Sequence, residues 1–92
     1  MRLEALPVEE TELADFLTEA RSIVMAEPCI TAWFAIRFGP STFGVYDVFP
    51  DDEARDAHLA GGVGQALGPN TGVLFLEPQI ERIDILADKV PA

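Results

Sequence analysis

A change of hydrophobic period at Pro28 is the sequence feature that most constrains the fold. Over residues 9–27 the apolar side chains recur at the i, i+3, i+4 and i+7 spacing of an amphipathic helix. These side chains belong to Leu13, Phe16, Leu17, Ala20, Ile23 and Val24. Residues 30–38 and 42–49 are instead rich in aromatic and β-branched types, which favour strands. Because the loop-forming sequence Gly39-Pro40-Ser41 separates them, these two stretches predict an antiparallel hairpin.

A second helix is predicted after the hairpin. Asp51 lies where an N-cap side chain accepts a hydrogen bond from the first helical turn. The apolar stripe of this helix consists of Leu59, Val63, Ala66 and Leu67. Each glycine costs a helix about 1 kcal/mol relative to alanine, so the glycines at positions 61, 62 and 64 predict fraying or a kink near Gly61. Residues 68–72 predict a loop, because Gly, Pro and Asn dominate them.

Short strands are predicted near both ends of the chain. Residues 2–6 alternate weakly and end at Pro7. Residues 80–90 alternate as a strand does, although a helical stripe also fits them; we interpret them as a strand because β-branched residues are frequent there. The order β-α-β-β-α-β predicts a single α+β domain over residues 1–92. This domain is a ferredoxin-like sandwich, with an antiparallel four-stranded sheet and both helices on one face.

The predicted sheet has one face that no helix covers. A chain of 92 residues buries only about two-thirds of its extended surface on folding, which leaves its stability marginal. An apolar sheet face that stays open to water is unfavourable and typically marks an interaction surface. We therefore expect a homodimer in which the open sheet faces of two copies pack together.

Charge and composition exclude several classes of partner. Sixteen Asp and Glu residues stand against six Lys and Arg, a formal net charge of −10. Nucleic acids and anionic membrane surfaces both require a basic surface, so we expect neither as a partner. No apolar run approaches the roughly 18 residues of a membrane span. One cysteine and one histidine offer no metal-binding spacing, and the single cysteine suggests the reducing cytoplasm.

The hairpin strands separate their side chains into rows. Alternation in the first strand gives one uniformly apolar row, which we expect to face the core, and one mixed row. The apolar row contains Ile30, Ala32, Phe34, Ile36 and Phe38, and the mixed row contains Thr31, Trp33, Ala35 and Arg37. In the second strand Asp47 shares a row with Phe43, Val45 and Phe49. An unpaired buried carboxylate costs several kcal/mol, so Asp47 needs either solvent or a partner.

His58, the only histidine, supplies a candidate partner for Asp47. It lies beside the apolar stripe of the second helix, which would cover the sheet, so a contact with Asp47 is sterically reasonable. A carboxylate would fix the imidazole tautomer and equip His58 to move a proton. The alternative is a structural histidine at the helix edge. Two further residues have open roles: Trp33 either fills the core or walls an aromatic pocket, and Arg37 either holds an anionic or phenolate oxygen or pairs with an acidic side chain.

Several motifs resemble the antibiotic biosynthesis monooxygenase-like family of dimeric α+β barrels. Glu27-Pro28-Cys29 looks like the Glu-Pro-Gly-Cys of that family, with its glycine absent. Tyr46-Asp47-Val48-Phe49 is similar to its Tyr-Glu-x-Trp, and Ala57-His58-Leu59 matches its Ala-His-Leu. Residues 80–85 resemble its closing strand. The likeness extends over most of the chain, roughly residues 9–90.

The resemblance implies a cofactor-independent monooxygenase that acts on a small aromatic or polyketide-like molecule. By this analogy His58 is the proton acceptor or orienting group, Asp47 is its partner, and Trp33 is a pocket wall. Arg37, from its own position in the mixed row, is the other candidate substrate-binding residue. No metal and no organic cofactor would be needed. The haem-degrading relatives carry a histidine late in the second helix, and residues 61–67 contain none. A catalytically silent ligand-binding or structural homodimer of the same fold is the alternative function.

Overall fold

Three strands and three helices form the fold of the computed structural model, which describes residues 1–90 apart from the side chains at positions 59, 62 and 63. The elements are β1 (Arg2–Glu4), α1 (Glu10–Met25), β2 (Ala32–Arg37), β3 (Thr42–Val48), α2 (Asp52–Ala60) and α3 (Gly62–Asn70). The chain is therefore an α+β protein with an antiparallel sheet. The predicted core positions Leu59 and Val63 lie outside the described side chains.

Helix α1 confirms the prediction from hydrophobic period. The predicted stripe contributes Leu13, Leu17, Ala20 and Val24 to the core. Phe16 is partly buried, and its ring stacks on that of Phe75 with 6.2 Å between centroids. Within residues 1–90, no helix combines the length and the apolar character needed to cross a membrane.

The predicted hairpin is also confirmed. Strands β2 and β3 pair antiparallel, from Ala32 opposite Val48 to Arg37 opposite Phe43. Strand β1 pairs with the other edge of β3, which gives the order β1-β3-β2. Strand β3 is therefore central, and its Phe43 and Val45 lie in the core with Leu13 and Leu17 of α1.

The prediction of which β2 row faces the core was wrong. Trp33 and Ala35 lie opposite Asp47 and Val45, on the face that α1 covers. Phe34 lies on the other face and is 54% exposed. Both rows contain enough apolar residues to form a core, so alternation alone could not choose between them. The row on the open face is consequently the more apolar one.

The second predicted helix is divided in two at Gly61. The Asp51 carboxylate accepts a hydrogen bond from the Ala54 N–H at 2.8 Å, which confirms the predicted N-cap. Gly61 has an extended backbone between α2 and α3, so the predicted kink is a complete break.

The loop predicted at residues 68–72 begins later than expected, because α3 continues through Pro69 to Asn70. Pro69 lies in the last turn, where its missing N–H removes a single helical bond. The side chains of Asn70 and Thr71 donate hydrogen bonds to the carbonyls of Ala66 and Leu67, which stabilises this end of the helix.

The predicted strand at residues 80–90 is wrong: this segment, here called the arm, has no regular secondary structure and is exposed. Residues 74–79 instead run beside β1, with isolated antiparallel bridges from Ala5 to Phe75 and from Arg2 to Gln79. The sheet of the described residues therefore has three regular strands and not the predicted four. Pro78 lacks an N–H, which limits regular pairing beside β1. No backbone hydrogen bond holds the described residues of the arm to the sheet.

Candidate functional site

The His58 imidazole lies between two carboxylates. Its Nδ1 atom is 2.7 Å from Glu27 Oε2, and its Nε2 atom is 3.2 Å from Asp47 Oδ2. The His58 side chain is only 7% exposed, and the Phe49 ring lies 5.2 Å from it between centroids. The expected contact between His58 and Asp47 is therefore present, and Glu27 joins it.

Each member of this group comes from a different element. His58 lies in the last turn of α2, a helix that the Asp51 cap fixes at its start. Asp47 is the penultimate residue of β3, on the face that the helices cover. Glu27 follows the end of α1, directly before Pro28. The group thus ties α2 to the sheet and to the connection between α1 and β2.

Gly61 leaves room for the Glu27 carboxylate. A Cβ atom at position 61 would lie 3.3 Å from Glu27 Oε1 and equally close to the carbonyl oxygen of His58. Contacts of this length are tighter than a side chain ordinarily accepts, so a larger residue would displace the carboxylate. The break between α2 and α3 therefore also shapes the site.

Burial raises the pKa of Asp47, because removal from water disfavours the charged carboxylate. The nearby His58 ring opposes this shift and is the larger of the opposing influences; Arg55 opposes it more weakly. A carboxyl group whose proton is easier to retain, in contact with an imidazole, is better suited to accept a proton than an ordinary aspartate.

A cavity of about 90 Å³ adjoins Asp47 and His58. Its apolar lining includes Val45, Phe49 and Leu67. One wall is formed by residues 80–83 of the arm, and Arg82 of this segment contacts Asp56 of α2. Pockets for drug-sized ligands typically measure about 300–1,000 Å³, so with the arm in this position the cavity fits only a small molecule.

The other two predicted site residues do not share this cavity. Trp33 packs beneath α1 against Ala20 and Val24, and its indole Nε1 is buried without a hydrogen-bond partner among the described residues. Arg37 lies at the far end of β2, with its guanidinium 4.7 Å from the centre of the Phe43 ring. The structure therefore brings together His58 and Asp47 and keeps Trp33 and Arg37 apart from them.

Glu27 was absent from the predicted site residues. Its position after a helix and before a proline is typical of a connection, where carboxylates are usually solvated. The one available signal was the likeness of Glu27-Pro28-Cys29 to a family motif. Within residues 1–90, no group of three potential ligand side chains is arranged to hold a metal ion.

Comparisons with known proteins place this α+β chain among relatives of similar length. No protein-family model and no curated protein matches it. It is 51% identical to the NE2512 protein of unknown function from Nitrosomonas europaea, whose crystal structure superposes with a TM-score of 0.94. The match covers 99% of this chain and 89% of that one. The chain therefore belongs to the same family as the NE2512 protein.

Proposed function

We propose that the protein is a homodimeric, cofactor-independent monooxygenase that acts on a small aromatic molecule with an ionisable hydroxyl group. One observation carries this proposal: a buried imidazole between two carboxylates, beside an apolar cavity. The Asp47–His58 pair would remove the hydroxyl proton of an electron-rich phenol. The resulting anion, which carries carbanion character on its ring, would then react with molecular oxygen without help from a metal or an organic cofactor.

The position of residues 74–79 beside the sheet supports the same proposal. Residues 74–79 lie beside β1, which gives the spatial order 74–79, β1, β3, β2. We interpret these residues as an irregular fourth strand, and the whole as a ferredoxin-like sandwich of the antibiotic biosynthesis monooxygenase-like type. In that type two sheets pack face to face in a dimer.

The open sheet face provides the surface for a second copy. Phe34 is 54% exposed and its ring lies 6.4 Å from that of Tyr46, on the face opposite α1. Phe38 is 53% exposed beneath the guanidinium of Arg2. Neighbouring aromatic side chains exposed in this way are typical of a protein interface. Two identical faces would bury each other around a two-fold axis.

The dimer is tested by light scattering coupled to size-exclusion chromatography at micromolar concentration. The wild type should elute at twice the chain mass, and Phe34→Glu should elute as a monomer. Val8→Glu is the matched control, because it places the same charge at a residue exposed in the turn before α1. A wild-type monomer would contradict the dimer.

The enzyme proposal is tested by oxygen uptake with single-ring phenols of increasing electron density. Uptake should require the wild-type site and should fall about 10²–10⁴-fold in His58→Ala, which is the usual contribution of general acid–base catalysis. Glu53→Gln, in the exposed first turn of α2, is the control. Turnover that is unchanged in His58→Ala would remove this group from the reaction.

A catalytically silent homodimer that binds small ligands, or serves structurally, is the second candidate. It is favoured by the occupation of both His58 nitrogens, since a histidine that joins three elements can act purely as a clamp. Binding of phenols that raises the melting temperature without any oxygen uptake would favour this candidate.

We also propose a cytoplasmic location. Cys29 is the only cysteine, and it is exposed with a free thiol, a state that a reducing compartment preserves. Fractionation of cells that express the full chain would test this proposal.

A further inference from the structure

We propose that Asp47, and not His58, is the group that exchanges a proton with the ligand, and that Glu27 is a positioning residue that acts through His58. This inference rests on the proposed function, because it assigns the roles within the same site. The imidazole of His58 has a carboxylate beside each nitrogen, whereas a general base needs a nitrogen that is open to the ligand.

Both nitrogens of His58 are already occupied. An imidazole binds and releases protons only through its two nitrogen atoms. Nδ1 lies 2.7 Å from Glu27 and Nε2 lies 3.2 Å from Asp47, so each nitrogen already faces a carboxylate. A ligand in the cavity would have to compete with a carboxylate for either nitrogen.

Asp47 is the carboxylate of the group that lines the cavity. One of its oxygens, Oδ2, contacts His58, and its side chain is 25% exposed while also lining the cavity. In the proposed step the O–H bond of the ligand breaks and a new O–H bond forms on the Asp47 carboxylate. The ligand becomes an anion, Asp47 becomes neutral, and no oxidant or reductant takes part in this transfer.

The Nε2 atom of His58 lies 3.2 Å from Asp47 Oδ2. A neutral imidazole has a single N–H, and the shorter contact with Glu27 assigns it to Nδ1. Nε2 is then left as a hydrogen-bond acceptor. Once the Asp47 carboxylate has taken the proton from the ligand, Nε2 is within reach of that hydrogen.

Glu27 fixes the orientation of the ring. By accepting the Nδ1 hydrogen it turns Nε2 toward Asp47. Other charged groups near the site are the Met1 ammonium, Arg55 on α2, and Glu81 and Arg82 on the arm. Helix α3 contributes Gly64 and Leu67 to the cavity, so it adds no charge there.

The arrangement is tested first without any ligand, by nitrogen-15 NMR of protein labelled at histidine. His58 is the only histidine, so one pair of ring signals reports on the site. We expect Nδ1 to be protonated and its hydrogen to exchange slowly with water. Glu27→Ala should abolish the fixed tautomer, and Glu27→Gln, whose amide oxygen can still accept the Nδ1 hydrogen, should retain it in part. The control Glu53→Gln should leave both signals unchanged. Unchanged ring signals in Glu27→Ala would overturn the positioning role.

The second test is kinetic and uses the single-ring phenols of the oxygen-uptake experiment. Asp47→Asn should lower kcat about 10²–10⁴-fold. Glu27→Gln should lower kcat less, with KM unchanged and the pH profile displaced, because Glu27 does not touch the phenol. Wild-type kcat in Asp47→Asn would overturn the assignment. The two tests can also disagree. If the NMR signals show the fixed tautomer but the wild-type protein consumes no oxygen with any phenol, the proposed function is rejected and the contacts of Glu27, His58 and Asp47 still stand.

Discussion

Glu27 and His58 are 31 residues apart in the sequence and are joined by a 2.7 Å contact between Oε2 and Nδ1. The contact fastens the residue after α1 to the last turn of α2, and Asp47 on β3 holds the opposite side of the same ring. One imidazole therefore joins two helical segments to the sheet. This position makes His58 important for stability whatever its role in chemistry.

Replacement of His58 by alanine should lower the free energy of unfolding by about 2–4 kcal/mol, because it leaves two partly buried carboxylates facing each other without a partner. Urea unfolding followed by the fluorescence of Trp33, the only tryptophan, measures the change. The control Glu53→Ala should differ from wild type by less than about 0.5 kcal/mol, since its side chain is exposed. If His58→Ala also lowers the free energy of unfolding by less than about 0.5 kcal/mol, His58 does not hold the three elements together.

Stability should depend on pH through Asp47. Burial raises the pKa of folded Asp47 above the ordinary value of 3.8, so the unfolded chain ionises at lower pH than the folded one. Relative to Asp47→Asn, wild-type stability should be greatest below pH 3.8 and should fall as the pH rises through the pKa of folded Asp47. Urea unfolding of both proteins between acidic and neutral pH measures this difference. Asp15→Asn, on the exposed side of α1, should not reproduce the trend.

Gly44 should tolerate no side chain. A Cβ atom there would lie 2.8 Å from the Met1 carbonyl oxygen and 2.9 Å from the Phe38 ring. Gly44→Ala should therefore destabilise the protein by about 1–3 kcal/mol, as overpacking does. Gly39→Ala is the matched control, because nothing lies within 4 Å of a Cβ atom at that position. Equal melting temperatures for the two variants would refute the close approach at Gly44.

Replacement of Val8 by glycine should stabilise the folded protein. It is a β-branched residue with a φ of 62° in the exposed turn before α1, a backbone conformation that glycine adopts without steric cost. Val8→Gly should raise the free energy of unfolding by about 1 kcal/mol. Val8→Ala keeps the Cβ atom and should gain less. If alanine stabilises as much as glycine does, backbone strain is not the cause.

The arm should be released when its contact with α2 is removed. Arg82 and Asp56 are both exposed, and such pairs contribute up to about 1 kcal/mol, so Asp56→Asn should accelerate tryptic cleavage after Arg82 about two- to five-fold. Asp52→Asn is the control, because Asp52 faces Arg55 within α2 and does not contact the arm. Equal cleavage rates in both variants would show that the Arg82 contact does not restrain the arm.

Local signals predicted much of this fold. The helical period of α1, the Gly-Pro-Ser loop of the hairpin, the Asp51 cap and the break at Gly61 all depend on neighbouring residues, and the structure has each of them. The contact between Asp47 and His58 was also predictable, because a carboxylate in an apolar row needs a partner and the chain has one histidine.

Non-local choices could not be made from the sequence. Residues 80–90 have the composition of a strand, but residues 74–79 take the position beside β1, where Phe75 becomes fully buried. The core-facing side of β2 depended on its register with β3, since Trp33 of the mixed row packs into the core although the other row is uniformly apolar. Glu27 joins the site only because the turn after α1 brings it to α2, which no spacing in the sequence indicates.

The contacts of His58 bear on how this family can change during evolution. The side chains proposed to move a proton are the same ones that fasten α2 to the rest of the molecule. Selection for a folded product alone would preserve all three in a descendant that had lost its activity. Such descendants would instead show their loss of chemistry in the arm, which forms one wall of the cavity and is exposed, so that substitutions there carry little penalty for folding.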